Sequence, residues 1–364
     1  MCKTDPENRY NEEGKRMRDS ENMSICNEGG TAMLISPQFF HEQLMENMRP
    51  SMRYTGGDFG AWKTSAREKL ISLLGLPEKN CESDVIKEWE KQEDGYRETR
   101  YTFQTEKGFR NVFHILMPDG VLMPRPVICL QGHSKGMHIS LSRPRYEGDA
   151  ETIAGGRDFA IQAVRRGFAA VALEQRAFGE LGGDENGPRC QQPAMTALLL
   201  GRTLLGERVF DVMRLVDVLF ESFGDRINLE KICLTGNSGG ATVTAYTAAL
   251  DDRISVSAPS CAVSSYLHSI GNQVHCACNY VPGIYRYFDM AEICLMAAPR
   301  AQIIMNGQFD VIFPHDKAHE QYEIARKTYA ALGAEDKIIH LVGLEGHRYY
   351  PDLAWPSIEK YMNE

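Results

Sequence analysis

Residues Gly236-Asn237-Ser238-Gly239-Gly240 fit the pattern G-x-S-x-G. A serine so placed can act as a nucleophile only if a strand precedes the turn and a helix follows it. Both flanks meet that demand. Lys231-Ile232-Cys233-Leu234-Thr235 is a short apolar run that predicts a buried strand, and Ala241-Thr242-Val243-Thr244-Ala245-Tyr246 opens a helical stretch. A turn this sharp strains the backbone at Ser238 and lifts its hydroxyl above the sheet. Glycines at 236 and 240 let neighbouring backbone come close without a side-chain clash. The Gly239 N–H, at the start of the helix, is positioned to donate to an oxyanion. A serine that merely caps the helix is the plainer alternative, and the strand-turn-helix context favours the nucleophile.

A serine nucleophile needs a base and an acid to orient it, in the chain order serine, acid, histidine. Ile303-Ile304-Met305-Asn306-Gly307-Gln308-Phe309-Asp310 reads as a strand ending in a loop that carries an acid. The next strand, Ile338-Ile339-His340-Leu341-Val342, ends in Gly343-Leu344-Glu345-Gly346-His347. His347 is therefore the expected base and Asp310 its orienting acid. Asp316 suits the start of a helix better, and Glu345 reads as a solvated neighbour. His315, His319 and His340 are the other histidines in reach. His340 falls mid-strand and His319 on a helix, so neither is expected to reach the serine. The second oxyanion donor is expected from the loop Leu130-Gln131-Gly132-His133-Ser134-Lys135-Gly136, through the N–H of His133 or Ser134. For His133 the backbone amide, rather than the imidazole, carries that role.

These groups need a sheet whose strands deliver them to one edge. The strand candidates are Val127–Leu130, Ala169–Leu173, Ile232–Thr235, Ile254–Ser257, Gln302–Asn306 and Ile338–Val342. Continuous apolar runs of this length are expected of parallel strands covered on both faces. Helical stretches at 157–166, 194–222, 240–250 and 318–332 separate them. The alternation predicts a doubly wound α/β sheet, with sites at the carboxyl ends of its strands. A hairpin at 96–117 turning at Lys107-Gly108 makes the sheet mixed. Residues 36–76 read as helical, with Pro37 after the capping Ser36. Residues 1–95 thus form an N-terminal helical extension, its first 30 residues polar and poorly ordered, and 96–364 the catalytic domain. The stretch 259–300, with Tyr266, Tyr280, Tyr285, Tyr287 and four cysteines, is too long for a simple connection and is expected to carry function, such as a lid. Tyr280 and Tyr285 are candidates for lining a substrate pocket. Arg176, at the end of a strand, either reaches that pocket or braces the 131–136 loop, with Glu174 as its partner. Arg202, Arg208 and Glu207 are expected to form a similar network.

Composition narrows the class. A chain of 364 residues with 43% hydrophobic and 24% charged residues has the make-up of a globular protein with a large core. A formal charge of −9 argues against nucleic acid or anionic lipid as partner. There is no apolar run of membrane-spanning or signal-peptide type, so a cytoplasmic protein is expected. Cys129 and Cys233 lie in strand runs and read as buried free thiols of a reducing compartment. Cys276-Ala277-Cys278, after His275, lacks the second pair of ligands that a structural zinc site needs, and reads as packing or pocket lining. The expected chemistry needs no metal or organic cofactor.

Together these motifs resemble bacterial α/β-hydrolases of the acetyl xylan esterase-like family. The matching stretches are Gln131–His138, Glu174–Glu180, Leu199–Arg208, Gly236–Gly240, Cys278–Gly283, Asn306–Pro314 and Gly346-His347, spread over residues 30–360. The resemblance implies a serine esterase using Ser238, Asp310 and His347. Position 177 is alanine where related proteins carry glycine. With no signal peptide, a small acetylated saccharide or other small ester is a better expected substrate than polymeric xylan, and a homo-oligomer is compatible with the sequence. Amide cleavage, C–C cleavage and a non-catalytic binding role use or descend from the same fold. Peptidase relatives carry a large filtering domain for which this chain has no room, and non-catalytic relatives usually lose a triad member.

Overall fold

The structure is a computed structural model that describes residues 36–364, together with the backbone of two short strands, β1 (Ile25–Cys26) and β2 (Ala32–Met33). The expectation of disorder over the first 30 residues lies largely outside the described residues. The chain divides into two compact units, residues 1–49 and 50–364. The first holds β1, β2 and helix α1 (Pro37–Asn47).

The second unit carries α2 (Phe59–Leu74), β3 (Ile86–Glu93), β4 (Tyr96–Glu106), β5 (Phe109–Pro118), β6 (Pro126–Leu130), α3 (Asp149–Thr152), α4 (Phe159–Arg165) and β7 (Ala169–Leu173). It continues with α5 (Gln191–Leu199), α6 (Leu204–Ser222), β8 (Ile232–Asn237), α7 (Gly239–Leu250), β9 (Ile254–Ser260), α8 (Met290–Ala297), β10 (Ala301–Gly307), α9 (His315–Ala331), β11 (Ile338–Gly343) and α10 (Pro351–Asn363). Nine strands form one sheet in the order β11-β10-β9-β8-β6-β7-β5-β4-β3. Strands β6 to β11 run parallel, and β3, β4 and β5 extend the sheet as an antiparallel meander. Helices α4 and α10 share one core with the sheet, built around Phe159, Trp355 and Ile358. Helices α6, α7, α8 and α9 pack together on the remaining side. This is the α/β-hydrolase fold that the sequence predicts.

The differences from expectation are local. The unit 50–364 takes in α2 and β3 together with the large sheet. The expected helix over 36–76 is two helices. The chain breaks at Pro50 and Gly56-Gly57, and Asp58 caps α2 by accepting from the Ala61 N–H at 3.0 Å. The stretch 259–300 is buried in part. Every residue of α8 is buried, and residues 261–266 are buried as well. Among the described residues no helix is long and apolar enough to cross a membrane.

Candidate active site

Strand register sets the site. Asn237 of β8 lies level with Ser260 of β9, Ser260 with Met305 of β10, and Gly307 with Gly343 of β11. The loops after all four strands therefore leave the sheet along one edge.

Strand β8 is fully buried and stops at Asn237, and α7 starts at Gly239. Ser238 alone makes the turn, at φ 51° and ψ −120°. A positive φ costs a serine about 1–3 kcal/mol, so its surroundings must hold it there. They do so from both sides. The Ser238 N–H donates to Ser260 O at 2.8 Å, and its carbonyl accepts from Thr242 N–H at 2.8 Å. The turn also sits tight against β6: a Cβ at position 240 would stand 2.2 Å from Leu130 O, so only glycine fits.

Asp310 and His347 meet because their loops are laced together. Gln308 N–H donates to Gly343 O at 2.8 Å and Phe309 N–H to Glu345 O at 3.0 Å. That brings Asp310 Oδ2 to 2.9 Å from His347 Nδ1. The other carboxylate oxygen accepts from the Ile312 and Phe313 N–H groups at 2.8 and 3.0 Å. Burial pushes the Asp310 carboxyl up, but the hydrogen bond and charge of His347 outweigh it, leaving Asp310 below the usual carboxylate range. The Phe313 ring stacks on His347 at 6.0 Å. Cys261, the residue after the Ser260 that holds Ser238, offers its sulfur within 4.8 Å of ligand atoms of Asp310 and His347. The competing groups are engaged elsewhere. His319 and His340 stack on each other at 5.6 Å, and His340 Nε2 lies 3.2 Å from Asn306 Oδ1. Glu345 pairs with Arg348 at 2.5 Å, and Asp316 is exposed beside Lys317.

The 131–136 loop reaches the elbow. A Cβ at Gly132 would stand 3.0 Å from Ser238 Cβ, and one at Gly239 would stand 2.5 Å from the His133 ring. His133 therefore packs its ring over Gly239, and its Nε2 lies 3.0 Å from Cys278 Sγ. Ser134 folds its hydroxyl back onto Gln131 Oε1 at 3.3 Å. Glu174 underlies the same loop, accepting from Met137 N–H at 3.1 Å and Glu180 N–H at 3.3 Å. Its complete burial raises its pKa from 4.5 to about 7. A carboxyl raised in the fold favours the neutral form, so its contribution to stability is present at low pH and lost as pH rises through about 7. Glu174→Gln stays neutral throughout. Between pH 5 and pH 8 its stability relative to wild type should rise by about 3 kcal/mol, read by urea unfolding.

Arg176 departs from expectation. It is nearly buried and fully paired, with Asp211 Oδ1 and Oδ2 at 2.7 and 2.8 Å, Glu106 at 2.8 Å and Glu207 at 3.3 Å. Its partner is Asp211 of α6, not Glu174, because the Glu174 carboxylate faces the loop amides. It ties the end of β4, the segment after β7 and α6 together. Arg176→Met should cost about 3–5 kcal/mol by leaving buried carboxylates unpaired. The folded fraction should keep its KM for ester, measured alongside urea unfolding; a raised KM at unchanged stability would return Arg176 to the pocket. Arg202 does pair with Glu106 at 2.7 Å and Glu207 at 3.5 Å. Arg208 does not join them: its guanidinium donates to Arg176 O at 2.7 Å and to Cys190 Sγ at 3.2 Å.

Tyr285 sets its ring against Tyr266 at 6.3 Å rather than against His347. Tyr280 is half exposed. The His275 ring packs on Phe313 at 5.2 Å, on the ring that itself stacks on His347. Sequence reasoning gave no role to Phe313, though it lies in the matching stretch Asn306–Pro314, and it missed Cys261, which no motif marks, and Cys190, which lies beside Cys276, Cys278 and His133.

The model of a family described as the Abhydrolase family matches residues 17–255. Among curated proteins, the chain is 25% identical over 294 residues to the assigned hydrolase YtaP of Bacillus subtilis (strain 168), covering 78% of this chain and 94% of that one. Among solved structures it is similar to an assigned acetyl xylan esterase of Bacteroides fragilis NCTC 9343, with TM-score 0.75 and 17% identity over 94% of this chain and 98% of that one. It is also similar to the methylesterase BT1017, with TM-score 0.68 and 18% identity over 93% of this chain and 73% of that one.

Proposed function

The chain belongs to the Abhydrolase family, and from that premise we propose that it is a carboxylic ester hydrolase working through an acyl-enzyme on Ser238. The observation that carries this reading is Ser238 held at φ 51° at the strand-helix turn, on the same sheet edge as the Asp310–His347 pair. His347, its Nδ1–H donating to Asp310, has Nε2 left to take the Ser238 proton. Ser238 Oγ then attacks the ester carbonyl. The Gly239 N–H, with that of His133 or Ser134, stabilises the oxyanion. His347 returns the proton to the departing alcohol, and water repeats the sequence to release the acid. Asp310 stabilises the imidazolium and fixes its tautomer.

The expected substrate is a short acyl ester, such as acetyl, on a saccharide or another small molecule. The acetyl xylan esterase and methylesterase names of similar structures support small ester groups over long acyl chains. The free, buried thiols of Cys129, Cys233 and Cys294 suit a reducing compartment, and a cytoplasmic enzyme is part of the proposal. The test is a series of 4-nitrophenyl esters from acetate to octanoate. Turnover fastest on acetate and falling with chain length supports the reading. A folded protein that turns over none of them would overturn it, and would direct attention to amide or C–C bonds or to binding alone.

A further inference from the structure

Beside the oxyanion loop lies a cluster that the ester chemistry does not use. His133, Cys190, Cys276 and Cys278 come from three distant segments, and their ligand atoms all lie within 4.8 Å of one another. The printed contacts include His133 Nε2 to Cys278 Sγ at 3.0 Å and Cys278 Sγ to Cys276 Sγ at 3.3 Å. A tetrahedral zinc with Zn–S bonds of about 2.3 Å needs its sulfurs about 3.8 Å apart, within the span of this cluster. The Cys276-Ala277-Cys278 pair alone has too few ligands, and the fold supplies the missing two. His275, next in sequence, is not one of them: its Nδ1 lies 3.0 Å from Asn279 Nδ2.

A second, independent observation is Arg208. Its guanidinium is fully buried, stacks on Phe178 at 4.4 Å and donates to Cys190 Sγ at 3.2 Å. Among the described residues it forms no ion pair with a carboxylate, its other hydrogen bonds going to Arg176 O. A buried cation needs a compensating anion. Zinc bound by three thiolates and a neutral imidazole carries a net charge of −1, which Arg208 cancels. Neutral thiols would leave the guanidinium uncompensated.

We propose that His133, Cys190, Cys276 and Cys278 form a structural zinc site of the Cys3His type. Soft thiolates with one imidazole select zinc, and four protein ligands leave no open position for a bound water. Each thiol gives its proton to solvent as the metal binds. The site clips the loop carrying His133 to the segment before α5 and to the 276–278 turn. His133 then has two separate duties, its imidazole to the metal and its backbone on the oxyanion side. The metal site stands whether or not the protein is an esterase.

The test is the zinc content of protein purified without chelator, by inductively coupled plasma mass spectrometry, with X-ray absorption at the zinc edge. The expected result is about one zinc per chain, with three sulfurs at about 2.3 Å and one nitrogen at about 2.0 Å. Cys276→Ser and Cys190→Ser should each lose most of it. If either variant fails to fold, cobalt(II) added to metal-stripped wild type gives the visible bands of a tetrahedral thiolate site. Wild type that holds no zinc and takes up neither zinc nor cobalt overturns the proposal. So does zinc with a nitrogen and oxygen shell alone, or zinc retained in full by both variants, which would put the ion at another site such as Cys261, Asp310 and His347.

Discussion

Ser238→Ala should lower kcat on 4-nitrophenyl acetate by about 10⁶-fold, because serine and histidine of such a triad act as a unit. The fold should survive. Among the described residues the hydroxyl contributes no hydrogen bond that positions the turn, which is held by the Ser238 N–H to Ser260 and the carbonyl to Thr242. Alanine keeps the strained φ of 51°, so its unfolding midpoint should stay close to that of wild type. Ser238→Gly removes the same hydroxyl and relieves strain of about 1–3 kcal/mol, and should be inactive yet more stable. Residual activity within tenfold of wild type in either variant would put the nucleophile elsewhere.

Asp310→Asn should lower kcat by about 10⁴-fold with little change in KM. Asparagine is nearly isosteric and can still accept from Ile312 and Phe313 N–H through its carbonyl. Its amide then donates toward His347 Nδ1 and selects the wrong tautomer, with the proton on Nε2 where the base must be free. It also removes the charge that stabilises the imidazolium. Kinetics with the same acetate ester check this. Loss of KM rather than kcat would mean that Asp310 holds substrate instead.

Much of the fold was legible because buried parallel strands leave a plain mark. Pro126–Leu130 and Ala169–Leu173 are apolar runs with both faces covered. Strand β3 left no such mark: Ile86-Lys87-Glu88-Trp89-Glu90-Lys91-Gln92-Glu93 is an edge strand, nearly all exposed, and its composition reads as loop or helix. Helix α10 begins with Pro351 and carries Pro356 within it, which hides its period. The candidate catalytic residues could be named because the turn after β8 and the loops after β10 and β11 have chain order and local motifs. The neighbours of those residues could not. The lacing of Gln308 and Phe309 onto the Gly343–Glu345 segment is a backbone matter that no side-chain pattern shows. Arg176 carries the same motif whether it braces or binds, and only Asp211 at 2.7 Å decides between them. Cys276 and Cys278 read as packing from sequence because Cys190 and His133 come to them only through the tertiary fold.

The most direct measurement of the central claim is labelling of native protein with a fluorophosphonate, followed by intact-mass analysis and peptide mapping. The account predicts one adduct per chain, on Ser238, abolished by heat denaturation and strongly slowed in His347→Ala. No adduct on folded protein, or an adduct on any other residue, would contradict it.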